Sequence, residues 1–405
     1  MAEFTYMTEL SWLSLMLLLG VVVALIAQKF RLPDILLLLI IGTLFGQFTS
    51  VEFAPGFIAS LGTFALVMII FDSTSKFKPR EISEVSPYAL KLFLVFFCIN
   101  LFALTVFTHL LFNGVFIWRE VILSMLFAAV MVETSPDVVL SILVNKASKI
   151  VEVLELESIL NTPFTVIVPI MILKLYMGVL QTAELVAISF LQEIMTGVGT
   201  GLVVGLVVFR FMKDVYMEKM CSLGVIAVAL IAYTLAGYIG GNGVLAVTTL
   251  GVVFGVSLIK EKESLQQFIS IFTNFLKIVV FVLLGLLIQI PLDRDFLIKS
   301  IILFAAYLFI RFAAVSITFR SSDLNFREKL FLSLNVSKGV AVAVVAFVVA
   351  ASVTTPYTKT ILNLIFVFLF YSIIVSSFAA KLSGFFLQRP TSIDELRSRR
   401  KRMNA

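Results

Sequence analysis

The chain has 405 residues, 60% hydrophobic and 14% charged, with a formal net charge of +6, and its mean hydropathy is +1.09. Soluble domains average about 45–50% apolar and about 25% charged residues, so a soluble fold of this length could not hide its apolar surface, and the bilayer must be the solvent. One histidine and two cysteines, without CxxC or Cys/His spacing, argue against a zinc site and against a Ser-His-Asp triad; Cys98 and Cys221 lie in apolar runs and read as inert buried thiols.

A membrane helix needs about 20 apolar residues. The first run, 10–28, follows MAEFTYMTEL, which has no basic n-region, so it reads as a retained helix rather than a cleaved signal. Apolar spans follow near 33–48, 57–75, 88–112, 120–144, 155–180 and 186–210. Six more lie near 221–240, 243–259, 267–290, 296–318, 328–352 and 357–386. The architecture is therefore an all-α polytopic membrane protein of about thirteen transmembrane helices.

Lysine and arginine fall unevenly between the spans. Lys29 and Arg31, then Lys76, Lys78, Arg80 and Lys91, then Lys146 and Lys149 follow odd-numbered spans. Arg210, Lys213 and Lys219, then Lys260 and Lys262, then Arg320, Arg327 and Lys329 continue the pattern, whereas alternate loops hold little. The positive-inside rule puts the N-terminus outside and the C-terminus in the cytoplasm of a cell membrane. The basic tail TSIDELRSRRKRMNA then reads as a topology anchor. The basic charge is spent on loops and tail, and no nucleic-acid partner or cofactor is called for; the lipid bilayer is the partner.

Thirteen spans divide into a first inverted repeat at 1–180, a connecting helix at 181–215, a second repeat at 216–388 and the tail at 389–405. Secondary transporters of this kind carry broken helices at matching positions of the two halves. The fifth span holds VETSPDVV (132–139) and the twelfth LNVSKGVAVAV (334–344), with Pro136 in one and Gly339 in the other as break signals.

Polar residues gather around these breaks. The stretch LELESILNTPFTVIVP (154–169) places Glu157 and Asn161 four residues apart on one helix face, with Ser158 and Thr162 in the neighbouring row. Glu133 and Asp137 flank the break in the fifth span. Pro136 and Pro163 free the carbonyls of Val132 and Ile159, hard oxygens suited to a small cation. Thr134, Ser135, Ser158, Asn161 and Thr162 add neutral oxygens. Arg311 and Lys338 lie inside apolar runs, where an ionisable group costs at least about 2.5 kcal/mol, so Glu157 is expected to pair with one of them. Lys277 lies nearer a helix end, within snorkelling reach of the interface. Paired aspartates or a Ser/His dyad for intramembrane proteolysis are missing, so an enzyme is not expected.

Taken together, these stretches resemble the monovalent cation:proton antiporter superfamily, in its prokaryotic sodium/hydrogen exchanger branch. LPDILLLLIIGTLFG (32–46), TSPDVV (134–139), ELESILNTP (155–163) and YIGGNGVLAVTTLGVVFG (238–255) carry the likeness in order. FVLLGLLI (281–288), RFAAV (311–315) and KGVAVAVVA (338–346) complete it. The resemblance implies two six-helix inverted repeats with crossed broken helices, a scaffold that dimerises, and a mobile core that holds the ion. It places Thr134 and Ser158 at cation-coordinating positions, Glu157 at the structural carboxylate, and Lys338 and Arg311 at the basic positions. Where the family has its ion-binding aspartate this chain has Thr162, and where a family variant has a second aspartate it has Ser135.

An antiporter needs one site that holds either a cation or a proton, and a carboxylate does this. Asp137, one residue past Pro136, is the candidate, assisted by Thr134, Ser135, Ser158, Asn161 and Thr162; Glu133 is a possible additional carboxylate and Glu157 the fallback. The expected function is exchange of a monovalent cation bound at that site, Na+ or Li+ ahead of K+, for protons. The alternatives are K+/H+ exchange and a non-transporting sensor or binding protein on the same scaffold. The expected assembly is a homodimer.

Overall fold

The computed structural model describes residues 2–30, 34–48, 55–76, 86–114, 116–142, 149–179, 182–214, 218–257, 262–287, 293–320, 324–353 and 355–387. The described residues form an all-helical membrane protein. In chain order the helices are α1 (Ala2–Phe30), α2 (Asp34–Phe48), α3 (Pro55–Ser75), α4 (Ser86–Phe112), α5 (Trp118–Val130) and α6 (Asp137–Ile142). Then come α7 (Lys149–Tyr176), α8 (Ala183–Asp214), α9 (Glu218–Tyr238), α10 (Gly243–Val256) and α11 (Lys262–Leu287). The chain continues through α12 (Arg294–Thr318), α13 (Phe326–Leu334), α14 (Val340–Ser352), α15 (Pro356–Lys381) and α16 (Ser383–Phe386). Among them, seven are long and apolar enough to cross a membrane.

Large apolar side chains point outward along these helices: Phe102 and Phe309 are 76% and 73% exposed. In water such faces would drive association, whereas in hydrocarbon they cost nothing. Cys98 also lies on an outer face of α4, so its thiol is exposed rather than buried as the apolar run suggested; the side chain of Cys221 lies outside the described residues.

Helix contacts are densest within two groups. In one, α11 packs on α2 and α3, and α10 packs on α3, α8 and α9. In the other, α4 packs on α5, α7 and α12, while α15 packs on α5, α6, α13 and α14. The groups meet chiefly where α14 lies against α3. Small residues set how closely the first group approaches. A Cβ on Gly42 of α2 would sit 2.2 Å from the Val282 carbonyl oxygen of α11, and one on Gly285 would sit 2.4 Å from that of Leu39. Without a hydrophobic force between helices, this backbone-to-backbone packing is what joins them.

Both expected breaks are present. The backbone leaves helical geometry after Val130 and resumes at Asp137, and it does so again between Leu334 and Val340. Pro136, which has no N–H and disfavours helix in the residue before it, ends the first break. Gly339 is the N-cap of α14. By contrast α7 runs unbroken through Pro163 and Pro169. Near Pro163, the hydroxyls of Thr162 and Thr165 donate to the carbonyls of Ser158 and Asn161 at 2.7 and 3.0 Å.

Candidate functional site

The two unwound stretches touch. The Ser135 N–H donates to the Ser337 carbonyl at 2.7 Å, and the Ser337 hydroxyl returns a bond to the Ser135 carbonyl at 2.6 Å. Each stretch also carries the charge that the other's helix end requires. At the C-terminal end of α5, the Lys338 ammonium donates to the carbonyls of Met131 and Glu133 at 2.8 and 2.6 Å, and to the Tyr307 hydroxyl at 2.6 Å. At the N-terminal end of α14, the Glu133 carboxylate accepts from the Val342 N–H at 3.0 Å. Positive charge meets a negative helix end and negative charge a positive one. The carbonyls of Met131, Glu133 and Ser135 are thus taken by Lys338 and Ser337. The carbonyls that the sequence offers to a cation, those of Val132 and Ile159, are not among these three.

Helix α7 divides its polar residues between two faces. On the inner face Glu157 accepts two bonds from Arg311, at 2.5 and 2.6 Å, with both side chains fully buried. The Arg311 guanidinium also lies 4.6 Å from the centre of the Phe96 ring. One turn on, the Asn161 amide donates to the Thr134 hydroxyl at 2.8 Å. Its Oδ1 is buried and has no hydrogen-bond partner among the described residues.

The other face of α7 opens on a cavity of about 420 Å³, to which it contributes Glu155, Ser158 and Thr162. The unwound stretches add Glu133, Ser135, Pro136 and Gly339. The opposite wall comes from α3, α10 and α11, with Asp72, Lys76, Thr248, Ser270, Asn274 and Lys277. Asp72 is committed on both oxygens: Ser270 donates to one at 2.8 Å and Lys76 pairs with the other at 2.8 Å. The cavity therefore lies between the two helix groups, and hydroxyls and carboxylates face each other across it.

A family model described as "Sodium/hydrogen exchanger, transmembrane" matches residues 14–382. The chain belongs to the sodium/hydrogen exchanger family. Curated relatives agree. The chain is 25% identical over 369 residues to Na(+)/H(+) antiporter 1 of Methanocaldococcus jannaschii, covering 86% of this chain and 84% of that protein. It is 24% identical over 422 residues to the same organism's probable Na(+)/H(+) antiporter 2, covering 95% and 98%. The fold matches the sodium proton antiporter MjNhaP1 of that organism at pH 8, with a TM-score of 0.81, 22% identity, and coverage of 92% of this chain and 99% of the other. A second structure of MjNhaP1, an electron-microscopy map, gives a TM-score of 0.78. Cation:proton exchange is the activity that these relationships support, and the members of this family are transporters.

Against this exchanger frame the expected residues fall into three sets. Ser135, Ser158 and Thr162 reach the cavity, and so does Glu133. Thr134 and Asn161, expected as cation ligands, lie buried in the core, where the Asn161 amide donates to the Thr134 hydroxyl. Lys338 is not the partner of Glu157; Arg311 is, and Lys338 holds carbonyls at the break. Asp137 begins α6, and its side chain lies outside the described residues. Glu155, Asp72 and Asn274 were not singled out from the sequence, and Lys277 was read as snorkelling. Glu155 had a usable signal: it precedes Ser158 by three positions and Thr162 by seven, and so shares their stripe. Asp72 had only its place in an apolar run.

Proposed function

We propose that this exchanger moves a monovalent cation, Na+ or Li+ ahead of K+, against protons across a cell membrane, by alternating access at the cavity between the two helix groups. The observation that carries the reading is that cavity, in which the Ser158/Thr162 stripe of α7 faces hydroxyls and carboxylates of the opposite group. The preference for Na+ is supported by the two Methanocaldococcus jannaschii relatives, a Na(+)/H(+) antiporter and a probable one. Thirteen spans, an inverted repeat at 1–180, a connecting helix at 181–215, a second repeat at 216–388 and a cytoplasmic tail at 389–405 are the accompanying topology. The N-terminus lies outside and the protein works as a homodimer.

Exchange follows from competition. A carboxylate in the cavity holds a proton or a cation, not both, so each transit of the core carries one or the other. Two sources supply that carboxylate. Asp137 is nominated by its position beside Pro136, with Ser135, Ser158 and Thr162 as neutral ligands; Asp72, Glu133 and Glu155 are the carboxylates on the cavity wall.

The test is a pH dye trapped in proteoliposomes. With a proton gradient imposed, Na+, Li+ and K+ are added in turn across pH 5 to 9. A cation-dependent pH change is expected, largest for Na+ or Li+. Its loss in Asp137→Asn, with folding intact, would assign the exchanging carboxylate to Asp137, and its retention would assign it to the cavity wall. Thr162 and Ser135, uncharged where the family resemblance expects aspartates, favour a second reading in which the scaffold moves no ions. Silence to all three cations from folded, inserted protein would select it.

A further inference from the structure

We infer that Glu155 is the carboxylate at which cation and proton exchange in this chain, carrying from two turns away along α7 the charge that position 162 lacks. The inference rests on the exchange reading and names the working residue of that site.

Three carboxylates with described side chains line the cavity, and two are committed. Both oxygens of Asp72 are engaged, one by Ser270 and one by Lys76, at 2.8 Å each. Glu133 caps α14 through the Val342 N–H, and its other oxygen lies against Gly339. Glu155 differs. Among the described residues its carboxylate has no hydrogen-bond or ion-pair partner, although it lies half-buried on the cavity wall. A desolvated carboxylate without a partner is costly in a membrane protein unless it binds something there.

Its neighbours suit a small cation. Glu155, Ser158 and Thr162 follow the i, i+3, i+7 rule along α7, so all three reach the cavity from one face. The Ser158 hydroxyl has no bond within the described structure, and that of Thr162 donates to the Ser158 carbonyl, which leaves its oxygen able to accept. Carboxylate, hydroxyl and hydroxyl form a set of hard oxygens of the kind alkali cations take. The charges that face Glu155 are Asp72 of α3, Lys76 just past its end, Glu133 of the first unwound stretch, Lys277 of α11, and Glu152 on its own helix. Because α7 packs on α5 and α14, movement of that group carries Glu155 past the α3 and α11 wall.

The test compares wild type, Glu155→Gln, and Glu155→Gln combined with Thr162→Asp in dye-loaded proteoliposomes, with size-exclusion profile and melting temperature as controls for folding. Glu155→Gln should lower cation-dependent proton flux by about tenfold or more at every pH, and adding Thr162→Asp should restore it to within about threefold of wild type with a displaced pH profile. A purely structural glutamate would not be rescued from position 162. In wild-type protein, a carbodiimide should label Glu155, and Na+ should protect it. That readout needs no variant.

Flux in Glu155→Gln above about half of wild type would overturn the assignment while leaving exchange standing. So would a folded double variant as silent as Glu155→Gln, or carbodiimide labelling at Glu155 that Na+ leaves unchanged. Silence of the wild type to Na+, Li+ and K+ would overturn the exchange reading and Glu155 with it.

Discussion

Glu155 and Glu157 stand two residues apart on α7 and serve opposite surroundings: Glu157 is closed on Arg311 with no solvent access, and Glu155 opens on the cavity. At about 100° per residue the two carboxylates project on nearly opposite faces. One charge is fixed and the other uncommitted, and an exchanger needs both. The fixed pair holds α7 against α12 while the uncommitted carboxylate meets the solvent path.

The fixed pair sets the first expectation. Removing one partner leaves the other buried and unpaired, which costs about 3–5 kcal/mol. Glu157→Gln and Arg311→Met should each lower the melting temperature in detergent sharply. The double variant Glu157→Gln/Arg311→Met should recover most of that loss, because no charge then remains without a partner. Thermal unfolding followed by tryptophan fluorescence reads all three. Equal destabilisation by the double variant would mean that the pair contributes net stability.

Competition at one carboxylate sets the pH dependence, and its sign is fixed. Protons occupy the site at low pH, so the half-saturating Na+ concentration should fall as pH rises. The fall approaches about tenfold per pH unit while the site is mostly protonated and levels off above its pKa. Proton flux at a series of Na+ concentrations, at each pH from 5 to 9, measures it. A half-saturating concentration independent of pH would mean that cation and proton do not share a group.

Lys338 is the next test, because it satisfies backbone rather than pairing with Glu157. Lys338→Met keeps the bulk but removes all three bonds, to Met131, Glu133 and Tyr307. Orphaned buried carbonyls cost about 1–3 kcal/mol each. Tyr307→Phe removes a single bond and should cost about 1 kcal/mol. Hydrogen exchange at residues 131–136 should rise in Lys338→Met and stay near wild type in Tyr307→Phe.

Much of this arrangement could be read before any coordinates. Apolar length sets the helices, because the bilayer imposes one thickness on every span. Pro136 and Gly339 set the breaks, because one lacks an N–H and the other lacks a Cβ. The buried charges of Glu157, Arg311 and Lys338 were legible because charge in hydrocarbon demands a partner. Which partner was not, since helix packing decides whether Lys338 or Arg311 reaches Glu157. Thr134 and Asn161 were legible as polar groups near the breaks, but the bond from the Asn161 amide to the Thr134 hydroxyl was not, since it too depends on how the helices pack. Glu155 shares a stripe with Ser158 and Thr162 in the sequence, but only the packing of α7 shows that this stripe, and not that of Glu157, faces the cavity. The wall across the cavity, with Asp72 and Lys277, required α3 and α11 to be placed, and no local pattern does that.

Gly339 joins the break to the cavity and tests whether its geometry matters for transport. A Cβ at this position would lie 2.8 Å from Glu133 Oε1 and 3.3 Å from the Ser135 Cβ. The first contact is closer than real Cβ atoms come to a neighbour, and the Glu133 carboxylate is held in place by its bond to the Val342 N–H. Gly339→Ala must therefore push that carboxylate off the N-terminus of α14 or separate the two unwound stretches. Overpacking of this size costs about 1–3 kcal/mol. The stability loss should be modest and the flux loss larger, because Ser135, Gly339 and Glu133 all line the cavity. Gly42→Ala is the comparison: it strains the α2–α11 contact, away from the cavity wall. It should lower the melting temperature at least as much as Gly339→Ala, while the surviving folded protein keeps its rate per molecule. Equal flux per folded molecule in the two variants would show that the close approach at Gly339 serves packing alone.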